Sequence, residues 1–224
     1  LLITVSGIDC SGKSTQIEHL REYLRDRGLK TQTFWYRPGY SNELDAIRAL
    51  IRSLRPDLIP EAGRSAERQR AFETSGVSET WIAVALLDMF WQYCVKLRLM
   101  LKQYDCVICD RYLADAALDF ALKFPERDVS ESDVFRLIEF LAPTPVLQLM
   151  LVIPHDVMLD RMEEKEEPFP DPPKLRDARF DAYSALSRRP VFVEIDASRS
   201  ISDVRTQVLD ELRRVEMNEP PSAA

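Results

Sequence analysis

Short apolar runs alternate with amphipathic stretches along the chain, the pattern of a parallel sheet covered by helices on both faces. Leu2 to Ser6 reads as the first strand, followed by a helix from Lys13 to Arg25 with Ile17, Leu20 and Leu24 at helical spacing. Thr31 to Tyr36 reads as a second strand, and Glu43 to Leu54 as a helix that stops before Pro56. Residues 55–65, carrying Pro56, Pro60 and Gly63, read as a mobile connection. Ser78 to Gln103 is long and mostly apolar, as expected of a central buried helix. Asp105 to Asp110 is a third strand, and helices follow over Tyr112 to Lys123 and Ser130 to Leu141. Val146 to Ile153 and Val191 to Ile195 complete a five-strand set, and Ser202 to Arg214 closes the chain as a helix. No repeat interrupts this order. The expected architecture is one α/β domain over 1–217, with a mobile lid at about 154–179 and a disordered tail at 218–224.

Composition narrows the partners. A formal net charge of −7 argues against a nucleic acid polymer, although a few placed cations suffice for one nucleotide. The longest apolar run, near Val146 to Pro154, is too short to span a bilayer, and no signal peptide is expected from the Leu1 to Val5 start. The four cysteines are too few for a disulfide scaffold in 224 residues, so a reduced, cytoplasmic protein is expected. The Cys106–Cys109 spacing mimics a redox or zinc motif, but in a strand residues three apart point to opposite faces.

Residues Gly7 to Thr15, GIDCSGKST, lie between the first strand and the first helix. The pattern G-x-x-x-x-G-K-[ST] in that setting is a phosphate-binding loop, which predicts the P-loop NTPase fold with a five-stranded parallel sheet flanked by helices. Gly7 and Gly12 permit the backbone angles that turn successive N–H groups, through Asp9, Cys10 and Ser11, onto phosphate oxygens. The helix presents its positive end to the same anion. Lys13 is expected to bridge the β- and γ-phosphates of ATP, Ser14 to hold Mg²⁺, and Thr15 to touch the α-phosphate. A second apolar strand delivers Asp110 and Arg111 to its carboxyl end, where ligands of open α/β sheets bind. There Asp110 can orient Mg²⁺ water or a nucleophilic oxygen, and Arg111 can neutralise charge during transfer. No N-K-x-D guanine-reading motif occurs, which disfavours a GTPase.

From Leu2 to about Leu212 the chain resembles the thymidylate kinases. The resemblance is carried by the glycine loop with Asp9, by Arg37-Pro38-Gly39, by Ile47-Arg48, by Asp110-Arg111-Tyr112 and by Ile195-Asp196-Ala197-Ser198, in that family's order. It implies transfer of the γ-phosphoryl of MgATP to a nucleoside monophosphate, usually dTMP, and homodimerisation through the long helix. By that likeness Asp9 faces the acceptor sugar, Arg48 holds the acceptor phosphate, and Arg111 and Asp110 sit near the transferring group and Mg²⁺. Arg161 matches the family's lid-helix arginine, and Asp196, Ala197 and Ser198 match the turn beside the adenine.

The departures lie on the acceptor side. Arg37 stands where the family has Glu, inverting a charge. The base-stacking and base-gripping positions of the long helix fall near Ala85 and Met89, and the base-side positions after Asp110-Arg111-Tyr112 become Asp115, Asp119 and Phe120. Such a pocket should not prefer thymine, because the amide and arginine contacts that reject analogues are gone. Asp115 and Asp119 favour hydrogen-bond donors on the acceptor, or else stand as a solvated first helical turn. The loop offers Cys10 and Ser11 but no arginine, and the lid offers Lys165 among glutamates, with Arg176 and Arg179 on a later, outward-facing helix. A missing arginine finger costs about 10³–10⁵ in rate. Three readings therefore stand: a nucleoside monophosphate kinase with an altered acceptor, a nucleoside or small-hydroxyl kinase, and a nucleotide-binding module with little catalysis.

Overall fold

The computed structural model describes residues 1–38, 75–165 and 171–218. The helix expected at 43–54, the connection at 55–65, Arg48, the central part of the lid and the tail beyond 218 lie outside the described residues. Five strands form one all-parallel sheet in the order β2-β3-β1-β4-β5: β1 (Leu2–Gly7), β2 (Thr31–Trp35), β3 (Cys106–Asp110), β4 (Leu147–Val152) and β5 (Val193–Asp196). β1 lies in the middle and is buried along its whole length, which is why its run is continuously apolar rather than alternating.

Helices cover both faces because parallel strands need crossover connections. On one face α1 (Lys13–Asp26) and the closing helix α8 (Ile201–Asn218) pack with Ile3, Val5 and Ile108. On the other, Leu2, Phe34, Val107 and Cys109 meet the long helix and the two helices after β3, α4 (Leu113–Lys123) and α5 (Asp133–Leu141). Cys106 belongs to the first cluster and Cys109 to the second, so the two thiols face opposite ways, as the strand period requires. Both are fully buried and unpaired by disulfide, and burial pushes the Cys106 thiol up to about 11.

The long helix is not continuous α-helix. It runs as α2 (Ser75–Met89), a π-helical segment over Phe90–Lys96, and α3 (Leu97–Gln103). A π segment widens the helix and turns its face. Here it accompanies burial of the Tyr93 ring against Tyr36 and Tyr112, at centroid distances of 5.1 and 4.8 Å. An apolar run carries no signal of that hydrogen-bond register. The predicted helix from Ser130 likewise divides: Val129–Glu131 is a 3₁₀ turn, and α5 starts only after Ser132, whose hydroxyl accepts from the Phe135 N–H. After β4, α6 (His155–Glu164) and the first part of α7 (Pro173–Ser187) occupy the stretch expected as a lid, and α8 reaches Asn218, beyond the expected end at Arg214.

Candidate active site

β1 ends in the glycine loop, and α1 begins at its far side with Gly12 as the cap, in the left-handed region at φ 88°. Gly7 is required for a second reason: at φ 144°, a Cβ there would lie 2.5 Å from the Leu151 carbonyl oxygen of neighbouring β4. The loop thus fits only as close to the sheet as glycine allows. Cys10 also adopts positive φ, 64°, within this tight turn. Lys13 folds back over the loop and donates to the carbonyls of Gly7 at 2.9 Å and Ile8 at 2.7 Å. Burial, and then the positive Arg111, push the Lys13 ammonium down to about 8, against the pull of Asp9 and Asp110. Ser14 and Thr15 are exposed at the first turn of α1, and the buried Ser11 hydroxyl has no hydrogen-bond partner among the described residues.

β3 brings Asp110 and Arg111 beside this loop, through its register with β1 (Val5 opposite Asp110). One Asp110 carboxylate oxygen is buried without a hydrogen-bond partner among the described residues, and burial raises this carboxyl above its ordinary value despite Lys13 and Arg111. Arg111 sits at φ 74°, an uncommon conformation for a residue with a side chain. Its guanidinium is held on three sides: it donates to Asp9 of the loop and to the Tyr183 hydroxyl of α7, and lies 3.6 Å from Asp115. Burial pushes the Asp9 carboxyl up, but Arg111, Lys13, Arg37 and Arg179 together hold it below its usual range.

A cavity of about 360 Å³ opens at this point, lined by Asp9, Cys10 and Gly12 to Thr15 of the loop together with Trp35, Asp110, Arg111, Arg161 and Lys165. Arg161 of α6 closes its far side, donating to the Ala197 carbonyl at 3.0 Å and toward the Cys10 carbonyl at 3.4 Å. That contact ties the glycine loop to the turn after β5. The turn is internally closed, because Asp196 accepts from the Ser198 N–H and hydroxyl and from Arg199. Those bonds, the Ser198 ones first, hold Asp196 below the ordinary carboxylate range.

The positions expected to face an acceptor are placed differently from a solvated helix start. Asp115 is buried, and accepts from the Ser6 hydroxyl at 2.6 Å, the Tyr112 N–H at 2.9 Å and the Tyr183 hydroxyl at 2.7 Å. The Tyr112 contact closes a capping box at the start of α4, with Tyr112 as the N-cap and Asp115 three residues on. Asp119, one turn on, is also buried and accepts from Arg37 Nε at 2.7 Å, Arg37 Nη2 at 3.0 Å and Arg179 Nη1 at 2.6 Å. Burial would raise the Asp119 carboxyl, but Arg37 and Arg179 hold it well below its usual range. The inverted charge at Arg37 is therefore balanced from within the protein. Arg179 is not on a solvated face: it is 3% exposed and also donates to Asp171 at 2.8 Å. Arg176 pairs with its neighbour Asp177. Met89 has no exposed surface and packs in the aromatic cluster with Tyr93 and Phe120, and Ala85 lies in the same cluster. Neither is part of the cavity wall.

The fold thus gathers Gly12, Lys13, Ser14, Thr15, Asp110, Arg111 and Arg161 into one cavity and turns Asp115, Asp119 and Met89 inward. Sequence reasoning missed Trp35, Tyr183 and Ser6. Trp35 was legible in principle, since it closes a strand whose carboxyl end faces the ligand side. Tyr183 carries no local signal, because its role exists only through the packing of α7 on α4.

No protein-family model matches the chain. It is 29% identical over 221 residues to the thymidylate kinase of a Synechococcus species, covering 95% of this chain and 96% of that protein. Identity is 28% over 220 residues to the thymidylate kinase of Kosmotoga olearia, covering 94% of each chain. It is 20% over 224 residues to the thymidylate kinase of Plasmodium falciparum, covering 96% of this chain and 90% of that one.

Proposed function

The chain is a divergent relative of the thymidylate kinases over nearly its whole length, and from that premise we propose that it moves the γ-phosphoryl group of ATP to a nucleoside monophosphate, through an acceptor pocket no longer built for thymine. The relatives support a nucleotide-kinase-like function in general; donor and acceptor are the proposal. The observation that carries it is the single cavity in which the glycine loop, Lys13, Asp110 and Arg111 meet.

In this reading the loop N–H groups from Asp9 to Ser14 receive the phosphates, and Lys13 leaves the Gly7 and Ile8 carbonyls to reach the β- and γ-oxygens. Arg111, held between Asp9 and Tyr183, neutralises charge between donor and acceptor. Asp9 is assigned to the acceptor sugar. Arg48, outside the described residues, is assigned to the acceptor phosphate, and Arg37 holds the acceptor-side wall through Asp119. Arg161 and the Asp196–Ser198 turn flank the adenine. The exposed Ser14 hydroxyl and the unpartnered Asp110 oxygen suit Mg²⁺, which takes one or two protein ligands beside phosphates and waters. When bound, that ion offsets charge on the phosphoryl oxygens.

No helix among the described residues is long and apolar enough to cross a membrane. Leu87, Phe90 and Trp91 leave an apolar stretch of the long helix exposed, which supports the homodimer that the resemblance implies. A cytoplasmic setting is retained as part of the proposal, on the small number of cysteines in the sequence.

A second reading, a kinase of a nucleoside or other hydroxyl compound, is favoured by Asp110: a raised carboxyl that lines the cavity beside Lys13, with one oxygen free of hydrogen bonds among the described residues, can accept a hydroxyl proton. The test is ADP release from MgATP across nucleoside monophosphates and nucleosides, with Lys13→Ala as the blank. Release with a monophosphate supports the first reading, and release with nucleosides alone supports the second. Silence with ATP still bound leaves the nucleotide-binding module.

A further inference from the structure

Trp35 is the feature that the assigned roles leave unexplained. It is 55% exposed, while its strand neighbours Phe34 and Tyr36 are 4% and 2% exposed. Strand alternation explains the contrast: Phe34 and Tyr36 face the aromatic cluster, and Trp35 faces the opposite side, that of α1 and the glycine loop. An exposed tryptophan alone is unremarkable. This one lines the phosphate cavity, pairs in register with Asp110, and touches no other aromatic ring among the described residues. Its large π-face is left to whatever enters the cavity.

Position in the sheet says which ligand that is. Arg161 and the turn after β5 lie to one side of β1, across β4, whereas Trp35 lies to the other side, across β3. The donor's adenine is assigned to the first side, so the indole belongs to the acceptor. A second observation bears on how the acceptor is held. Asp115 and Asp119, the side chains available to read a base edge, are consumed by Ser6, Tyr183, Arg37 and Arg179. Releasing either to a ligand would leave buried charge unpaired. Face contact costs no such rearrangement, and it is indifferent to the identity of the base because every base has a π-face.

We infer that Trp35 is the stacking platform for the acceptor's base, so that the protein grips a nucleoside monophosphate by ring face and phosphate and accepts several nucleobases. This rests on the nucleoside monophosphate reading above.

The experiment is tryptophan fluorescence, excited away from nucleotide absorption, in a Trp91→Phe background that removes the other exposed indole. The probes are dTMP, dCMP, AMP and GMP, with ribose 5-phosphate as the ringless control and MgATP as the donor control. The expected result is quenching by all four monophosphates with Kd values within about tenfold of one another, and none by ribose 5-phosphate, because stacking is sequence-tolerant. Trp35→Ala, followed by calorimetry, should bind the same monophosphates roughly tenfold more weakly while binding MgATP unchanged. Quenching by MgATP alone, no binding of any monophosphate, a preference for one base beyond about a hundredfold against that tolerance, or equal affinity in Trp35→Ala would each overturn the inference. The two proposals separate cleanly. Monophosphates that bind and quench without ADP release leave the platform standing and remove phosphoryl transfer. ADP release at the same acceptor KM in parent and Trp35→Ala does the reverse.

Discussion

At the glycine loop polar groups are left unspent: Ser14 and Thr15 are exposed, and one buried oxygen of the cavity-lining Asp110 has no hydrogen-bond partner among the described residues. Across Arg111, Asp115 and Asp119 each accept hydrogen bonds from three donor atoms of the protein itself. Both regions are rich in charge, and sequence alone presents both as ligand-facing. The difference lies in where each charge finds its partner. Buried charge must be paired, so groups that are saturated internally maintain structure, while groups left open in a cavity wait for a ligand.

The comparison is broken most sharply at Lys13. If the loop is the transfer site, Lys13→Ala lowers ADP release by roughly 10³-fold or more, the scale of losing a cation at the transferring phosphoryl group. Urea unfolding of the same variant should show little loss of stability. Unchanged turnover would remove the loop from the chemistry.

Asp119 should behave in the opposite way. Asp119→Ala leaves Arg37 and Arg179 buried without their carboxylate, and is expected to cost about 3–5 kcal/mol of stability in urea titrations. The pH dependence has a definite sign. A carboxyl held below its unfolded value contributes stability that is fully present above about pH 4 and is lost as pH falls through its folded value. The wild-type stability curve should therefore fall below pH 4 more steeply than that of Asp119→Asn. Parallel curves would mean that the ion pairs contribute nothing.

A smaller effect sharpens the contrast from the loop side. Lys13 titrates at about 8 in the ligand-free protein, against an ordinary 10.5, and bound phosphates would restore its charge. ATP binding should then take up a proton as pH rises above 8 and weaken by at most about tenfold per pH unit, the limit for one proton. Calorimetry in two buffers of different ionisation heat reads the uptake directly. Absence of uptake would mean that Lys13 remains charged without ligand.

Tyr183→Phe is the mildest test, because Tyr183 touches both regions. Losing a hydroxyl shared by Arg111 and Asp115 is expected to cost about 1–3 kcal/mol of stability. Turnover should fall severalfold while the ATP KM holds, since only the aim of Arg111 changes. A shift in the ATP KM alone would place Tyr183 on the donor side instead.

Much of the fold was legible because its signals are local. Five apolar runs became five parallel strands, and the loop between Leu2–Gly7 and Lys13–Asp26 announced itself by glycine spacing. The π segment over Phe90–Lys96 was not legible, since an apolar run does not encode which carbonyl each N–H selects. The burial of Asp115 and Asp119 was not legible for a related reason. Asp115 and Asp119 look like a solvated helical turn until α7, some sixty residues later, brings Tyr183 and Arg179 against them.

By itself the sequence determined the form of the glycine loop, because a loop of that shape depends on glycine angles and a helix end, both written within nine consecutive residues. Tertiary structure alone decided which charges are spent and which remain open. That outcome depends on partners far apart in sequence: Arg37 with Asp119, Asp119 with Arg179, Asp9 with Arg111. Electrostatic pairing acts through space, and only the folded chain sets those distances.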